Sequence, residues 1–128
     1  MESYRKLEVW QRSMELLAEI YRLARRLPAE ERFALCDQLR RAAVSIPANI
    51  AEGQARQHRR EFIQALTVAR GSLAEVDTLL RATVVIGYFA VNDIDAALAL
   101  ALSVRQLLQR LIYYLKSDRG AQRRIGQR

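Results

Sequence analysis

The side chains that most often hold metals or attack electrophiles are almost absent from this sequence. There is one histidine, His58, and one cysteine, Cys36, with no His-x3-His or Cys-x2-Cys pair, so zinc-ligand spacing is missing. No Gly-x4-Gly-Lys loop is present to cradle a phosphate, and no serine sits on a nucleophile elbow. Two carboxylates, Glu52 and Glu75, would form an acid–base pair only if folding brought them together. The competing and favoured reading is that they pair with arginines such as Arg40, Arg41 or Arg70, or cap backbone groups. Cys36 falls on an apolar stripe and reads as a small buried hydrophobe, and a single cysteine excludes an intramolecular disulfide. The chemistry on offer points away from an enzyme, and no metal or cofactor is expected.

Arginine is what the chain has in quantity. The formal net charge is +7. Three clusters stand out: Arg22, Arg25 and Arg26; Arg56, Arg59 and Arg60 around His58; and Arg119, Arg123 and Arg124 close to the final residue, Arg128. The middle cluster has no interleaved aromatic residue, which argues against stacking on single-stranded bases and for phosphate contact without sequence readout. A basic balance raises the expectation of an anionic partner such as RNA or DNA. Arginines that merely solubilise an apolar protein are an equal alternative on charge alone.

The elements that must position these residues are helices. Ala, Leu, Arg, Gln and Glu dominate, and apolar residues recur at steps of three and four. A first helix over 4–27 shows the stripe Leu7, Trp10, Met14, Leu17, Tyr21 and Ala24, ended by Pro28. A second opens with the acids Glu30 and Glu31 and shows Cys36, Leu39, Ala43, Ile46 and Ile50. The stripe keeps phase across Pro47, which predicts one kinked helix reaching Ala51 or Glu52, with Ser45 and Asn49 satisfying groups freed at the kink. The alternative use of that block is a shared polar surface where Asn49, Glu52 and Arg41 meet a ligand or partner. The stretch after Gly53 reads as a turn or as the start of the next helix. A third helix over 59–86 shows Phe62, Leu66, Ala69, Leu73, Val76, Leu80 and Thr83. Gly71 in its middle calls for a close backbone approach, and Gly87 caps it. A fourth begins at Asn92, a candidate N-cap, and shows Ile94, Ala97, Ala101, Val104, Leu108, Leu111 and Leu115.

The fourth helix carries no charge between Asp95 and Arg105 and is apolar nearly all round. Such a surface must be central in the core or covered by another subunit, and subunit contact is the stronger reading. Short connections make an all-α, antiparallel up-down-up-down four-helix bundle over 1–116, followed by a basic tail over 117–128 that lacks periodicity and is expected to be disordered. No apolar window is long and charge-free enough to span a membrane, and no signal-peptide core follows the N-terminus, so a cytoplasmic protein is expected.

The stretch 39–53, Leu-Arg-Arg-Ala-Ala-Val-Ser-Ile-Pro-Ala-Asn-Ile-Ala-Glu-Gly, resembles the small helical proteins encoded in intervening sequences of bacterial 23S ribosomal RNA genes. Leu7-Glu8-Val9-Trp10-Gln11, Arg32-Phe33-Ala34-Leu35 and Ala69-Arg70-Gly71-Ser72-Leu73-Ala74-Glu75 resemble the same family, in the same order. The resemblance implies a left-handed four-helix bundle forming a ring-shaped homopentamer, with no defined activity. Relatives in fold serve as accessory proteins of diversity-generating retroelements, where a basic pentamer associates with a reverse transcriptase and RNA. It thus implies a nucleic-acid-binding role, RNA before DNA, or a ribonucleoprotein-accessory role, or a scaffold for such an enzyme. The polar residues falling in or beside its blocks are Arg40, Arg41, Ser45, Asn49, Glu52 and Glu75.

Overall fold

A computed structural model describes residues 3–117. Four helices, α1 (Glu8–Ala24), α2 (Leu35–Ala55), α3 (Arg59–Ile86) and α4 (Val91–Lys116), are joined by short links, with 3-10 turns at Tyr4–Lys6 and Ala29–Glu31. No strand occurs among the described residues. Helix α1 packs on α2 and α4, and α3 packs on the same two, around one continuous apolar core. No helix is long and apolar enough to cross a membrane among the described residues. The expected tail lies outside the described residues apart from Ser117.

The stripes of α2 and α3 are buried as the periodicity requires, from Cys36 to Ile50 and from Phe62 to Thr83. In α4 the buried row ends on Ile112 and Leu115, with Leu111 only half-buried. In α1 the periodicity selects the wrong one of two apolar rows. Val9, Ser13, Leu16, Ile20 and Leu23 face the core, while Trp10, Leu17 and Tyr21 are half-buried and Met14 is exposed. Ser13 hides this row from a hydropathy pattern, and its hydroxyl is satisfied by donating to the Trp10 carbonyl at 2.8 Å.

Helix boundaries follow local chemistry. The acids Glu30 and Glu31 open a 3-10 turn and not α2 itself, which starts four residues later at Leu35. Gly87 ends α3 in the left-handed region (φ 102°), and the N–H groups of Gly87 and Tyr88 both reach the Thr83 carbonyl. Asn92 is not the cap of α4. Ala90 takes that position, and Asp93, three residues on, accepts from the Ala90 N–H at 2.8 Å. Between α2 and α3 the chain turns at Arg56–His58, with Gln57 at φ 62°.

Helix α2 runs unbroken through Pro47, which excludes two short helices. Pro47 withholds the N–H that would reach the Ala43 carbonyl, yet Asn49 does not serve that group. Its Nδ2 donates to the Ser45 carbonyl at 2.7 Å and to Ser45 Oγ at 3.0 Å, and Ser45 Oγ meets Ser72 Oγ at 2.7 Å. The polar block therefore ties α2 to α3.

The close backbone approach expected at Gly71 occurs at Gly53. A Cβ on Gly53 would lie 2.5 Å from Ala65 Cβ and 3.1 Å from Phe62 Cδ1, whereas one on Gly71 would meet nothing within 4 Å. Both obstacles are fixed by α3, and one is the first carbon of a side chain that cannot swing away. Gly53→Ala should therefore destabilise the fold by about 1–3 kcal/mol, as overpacking of a filled interior does. Urea unfolding followed by circular dichroism measures it, as a lower midpoint at unchanged slope.

Candidate nucleic-acid interface

An arginine binds a phosphate to the extent that its charge is not already spent within the protein. By that criterion the three clusters are unequal. Arg22 is committed to Glu19 through two hydrogen bonds, Nε and Nη2 each at 2.7 Å, which hold Glu19 below the ordinary carboxylate range and raise the guanidinium. Arg26 reaches across to α4, donating to Asp93 at 2.9 Å with its guanidinium 5.0 Å from the Phe89 ring centroid. Only Arg25 of the three has no ion pair among the described residues. The same corner is closed by Tyr88, whose hydroxyl donates to Glu31 at 2.7 Å. That bond, joined by desolvation and the nearby carboxylates, pushes the phenol up to about 12. This cluster fastens helix ends together.

The second cluster is more open. Arg56 is shared between Glu52 at 3.1 Å and Glu61 at 3.9 Å. Arg59 Nη1 donates to the Leu115 carbonyl at 3.3 Å, near the C-terminus of α4, where a cation is favoured by the helix dipole. That bond leaves the positive charge of Arg59 unneutralised. Arg60, beside it, is exposed and has no ion pair among the described residues, and Lys116 lies one residue beyond Leu115. The exposed His58 caps α3 through its backbone, without a side-chain bond to the helix. The structure thus brings the arginine turn against the point from which the tail departs. Arg119, Arg123 and Arg124 lie outside the described residues.

The polar block separates into two places. Asn49 and Glu52 line a groove of about 300 Å³ between α2 and α3 with Arg56, Glu61, Gln64 and Val68. Arg41 is not there: it turns to Asp37 at 3.5 Å. Arg40 lies over the Tyr21 ring at 5.5 Å, with its Nε buried and unbonded. Glu52 and Glu75 do not meet. Ser45 stands level with Ser72, and residue 53 with Ala65, so Glu75 is about nine positions further along α3 than the level of Glu52, roughly 13 Å at helical rise. Glu52 pairs with an arginine as expected, though with Arg56, whereas Glu75 is exposed and has no ion pair among the described residues. No group of three or more His, Cys, Asp or Glu able to hold a metal occurs among the described residues. Cys36 is buried, its thiol donating to the Ala24 carbonyl at 3.4 Å.

Lys116 does not stand out in the sequence, because it is isolated there and becomes part of a cluster only when α4 ends beside α3. A larger groove of about 640 Å³ between α3 and α4 is likewise not evident from the sequence. Its signal is present in the two arginines, Arg70 and Arg105, that border small and apolar stretches.

These features define a small four-helix protein with charged side chains along its helices as well as at their ends, and with no metal cluster among its described residues. The chain belongs to the 23S rRNA-intervening sequence protein family, whose model matches residues 5–110. Among solved structures it is similar to a protein of unknown function from the S23 ribosomal protein family of Bacteroides thetaiotaomicron, at 27% identity and a TM-score of 0.75, over 81% of this chain and 97% of that one. A search of curated proteins finds no match.

The corner at Asp93 makes a pH prediction. The bond from Arg26, and then that from the Ala90 N–H, hold Asp93 below the ordinary carboxylate range. A depressed acid contributes stability above its unfolded pKa and loses it as pH falls through the folded value. Asp93→Asn should therefore melt below the wild type at neutral pH, and the gap should narrow progressively as both are acidified below pH 3.8. Tyr88, shifted the other way, contributes fully below pH 10.0 and loses that contribution as pH rises towards about 12, so Tyr88→Phe should flatten the alkaline limb of the same melting curves.

Proposed function

We propose that the chain is a non-enzymatic, cytoplasmic, homopentameric RNA-binding protein, an accessory of a ribonucleoprotein that grips phosphates through repeated basic surfaces. The observation that carries this reading is the bond from Arg59 to the Leu115 carbonyl, which sets Arg59, Arg60 and Lys116 beside the origin of the arginine-rich tail. A cation held by a neutral carbonyl keeps its charge for a phosphate. The family's description and that of the Bacteroides relative, one naming 23S rRNA and the other a ribosomal protein family, support RNA over DNA. The contacts Cys36–Ala24, Ser45–Ser72, Arg59–Leu115 and Arg26–Asp93 support an antiparallel up-down-up-down bundle. The pentamer supports tight binding from weak single contacts, since each basic end is presented five times. A reverse transcriptase as a further partner rests on the resemblance alone, and no side chain of the fold singles it out.

Structured RNA should be retarded in a gel by the wild type at about 50 mM salt, with affinity falling steeply as salt rises. Replacing Arg59, Arg60 and Lys116 together by Ala should weaken retention and reduce the slope of log K against log salt by roughly 0.7–0.9 for each phosphate that is no longer neutralised. No retention at low salt would overturn the RNA reading. Light scattering after size exclusion tests the assembly separately, with a mass of five chains of 14.7 kDa expected.

A further inference from the structure

Helices α1 and α2 leave an apolar surface uncovered. It is built on the row of α1 that the core does not take. Met14 is 39% exposed and Val44 of α2 42%, and Trp10, Leu17 and Tyr21 beside them are only half-buried. A helix needs one apolar stripe for its own bundle, so a second row calls for a cover. At the edge of this surface Arg40 lies over the Tyr21 ring, its Nε buried without a hydrogen bond and its charge met by no acid among the described residues. A half-buried cation of this kind is costly until an anion reaches it.

Helix α3 carries the complement on the side turned away from the core. Gly71 stands two positions from both Ala69 and Leu73, which are buried, so it faces outward. Val68 and Glu75, three and four positions away, share that side. Val68 is 50% exposed, a Cβ on Gly71 would meet nothing within 4 Å, and Glu75 is an exposed acid with no ion pair among the described residues. A glycine in mid-helix is destabilising unless something needs the room, and nothing within this chain uses the room at Gly71.

A ring adds a condition of level. Rotation about an axis parallel to the helices moves no residue along that axis, so residues that meet across the ring must already be level within one chain. Ser45 with Ser72 and Gly53 with Ala65 relate α2 to α3, and Cys36 with Ala24 and Arg40 with Tyr21 relate α1 to α2. In both sets the numbers fall on one helix as they rise on the other, so α1 and α3 run in the same direction. Carried through these pairs, Met14 is level with Gly71 and Val68 with Gln11, next to Trp10. Glu75 lies two or three positions from the level of Arg40, about 4 Å at helical rise and within the reach of the two side chains.

We propose that the α1/α2 face of one copy seats the outward side of α3 of a second copy, with Gly71 against Met14 and Val44, Val68 beside Trp10, and Glu75 answering Arg40. The unspent cation and the unspent acid are on one chain at matching levels, and so are the apolar surface and the open glycine, which makes the occupant a second copy. The two surfaces differ, so the contact is head-to-tail, the kind that closes into rings when its rotation permits. The inference rests on the homo-oligomeric reading above and adds the surfaces through which the copies meet.

The test uses the full chain at micromolar concentration, with mass from light scattering and fold from far-ultraviolet circular dichroism. Val44→Glu breaks the α1/α2 half, and Met14→Glu repeats that test should Val44→Glu misfold. Gly71→Leu breaks the α3 half; its Cβ has open space in its own chain and leucine favours helix over glycine, so a fall in mass is not a loss of fold. Each variant alone is expected to be folded and to fall to the mass of one chain, 14.7 kDa. Mixed in equal amounts, a variant of each half retains one intact contact between them, so a two-chain species should appear. A folded variant of either half that keeps the wild-type mass, or monomeric variants that stay monomeric when mixed, overturn the proposed contact and leave a pentameric wild type standing. A wild type of some other multiple, dissociated by both variants and paired by mixing, overturns the number five and supports the contact. A monomeric wild type overturns both.

Discussion

The contact on which the other helices depend is the one between α2 and α3 at Gly53. Hydrogen takes the place of a side chain there, so the backbone of α2 comes down onto Ala65 and Phe62. That approach sets the level of the two helices, and the hydroxyl pair Ser45–Ser72 keeps it two turns away. Once these levels are fixed, Phe62, Leu66, Ala69 and Leu73 of α3 and Ile46 and Ile50 of α2 enter one core without further choice. The turn between the helices is then too short for an unstrained path, and Gln57 is held at φ 62°, a region side chains seldom adopt. The same turn delivers Arg59 to the end of α4.

The sequence makes this architecture legible where one face of a helix is uniformly apolar. All seven stripe residues of α3 are buried, because that row is unbroken and no second apolar row of comparable length competes with it. In α1 two apolar rows compete. Periodicity alone favours the one containing Trp10, while the core takes the one containing Ser13, whose hydroxyl is satisfied locally and costs little to bury. Glycines are legible as exceptions but not as to kind. Gly53 and Gly71 look alike on a line of text, and only the neighbouring helix distinguishes a glycine that must be small from one with open space beside it. The proline is legible as internal to a helix, since the phase of Ile46 and Ile50 survives it, whereas the partner of its polar neighbours is not, since Ser72 is 27 residues away.

Charge is the least legible property, for a physical reason. Clusters are counted along the chain, but neutralisation happens in space. Arg26 is quenched by an acid 67 residues distant and Arg22 by one three residues before it, so a cluster equal in sequence to that at Arg56–Arg60 becomes structural. Arg59 illustrates the opposite case: it is anchored by a carbonyl, which orders the side chain without cancelling its charge. Such a group is held in place yet still electropositive, the combination that phosphate contact requires.

Two regions of α3 and α4 keep positive charge after folding. The arginine turn lies at the first turn of α3 and the last of α4, where Arg59 is held by the Leu115 carbonyl. Arg70 and Arg105 lie along the middle of the same two helices and have no ion pair among the described residues. The neighbouring Arg81 is spent on Asp77 at 2.7 Å. The charge left over is therefore decided by which acids the helices bring within reach, and an arginine three or four residues from an acid is spent locally while one without such a neighbour is not.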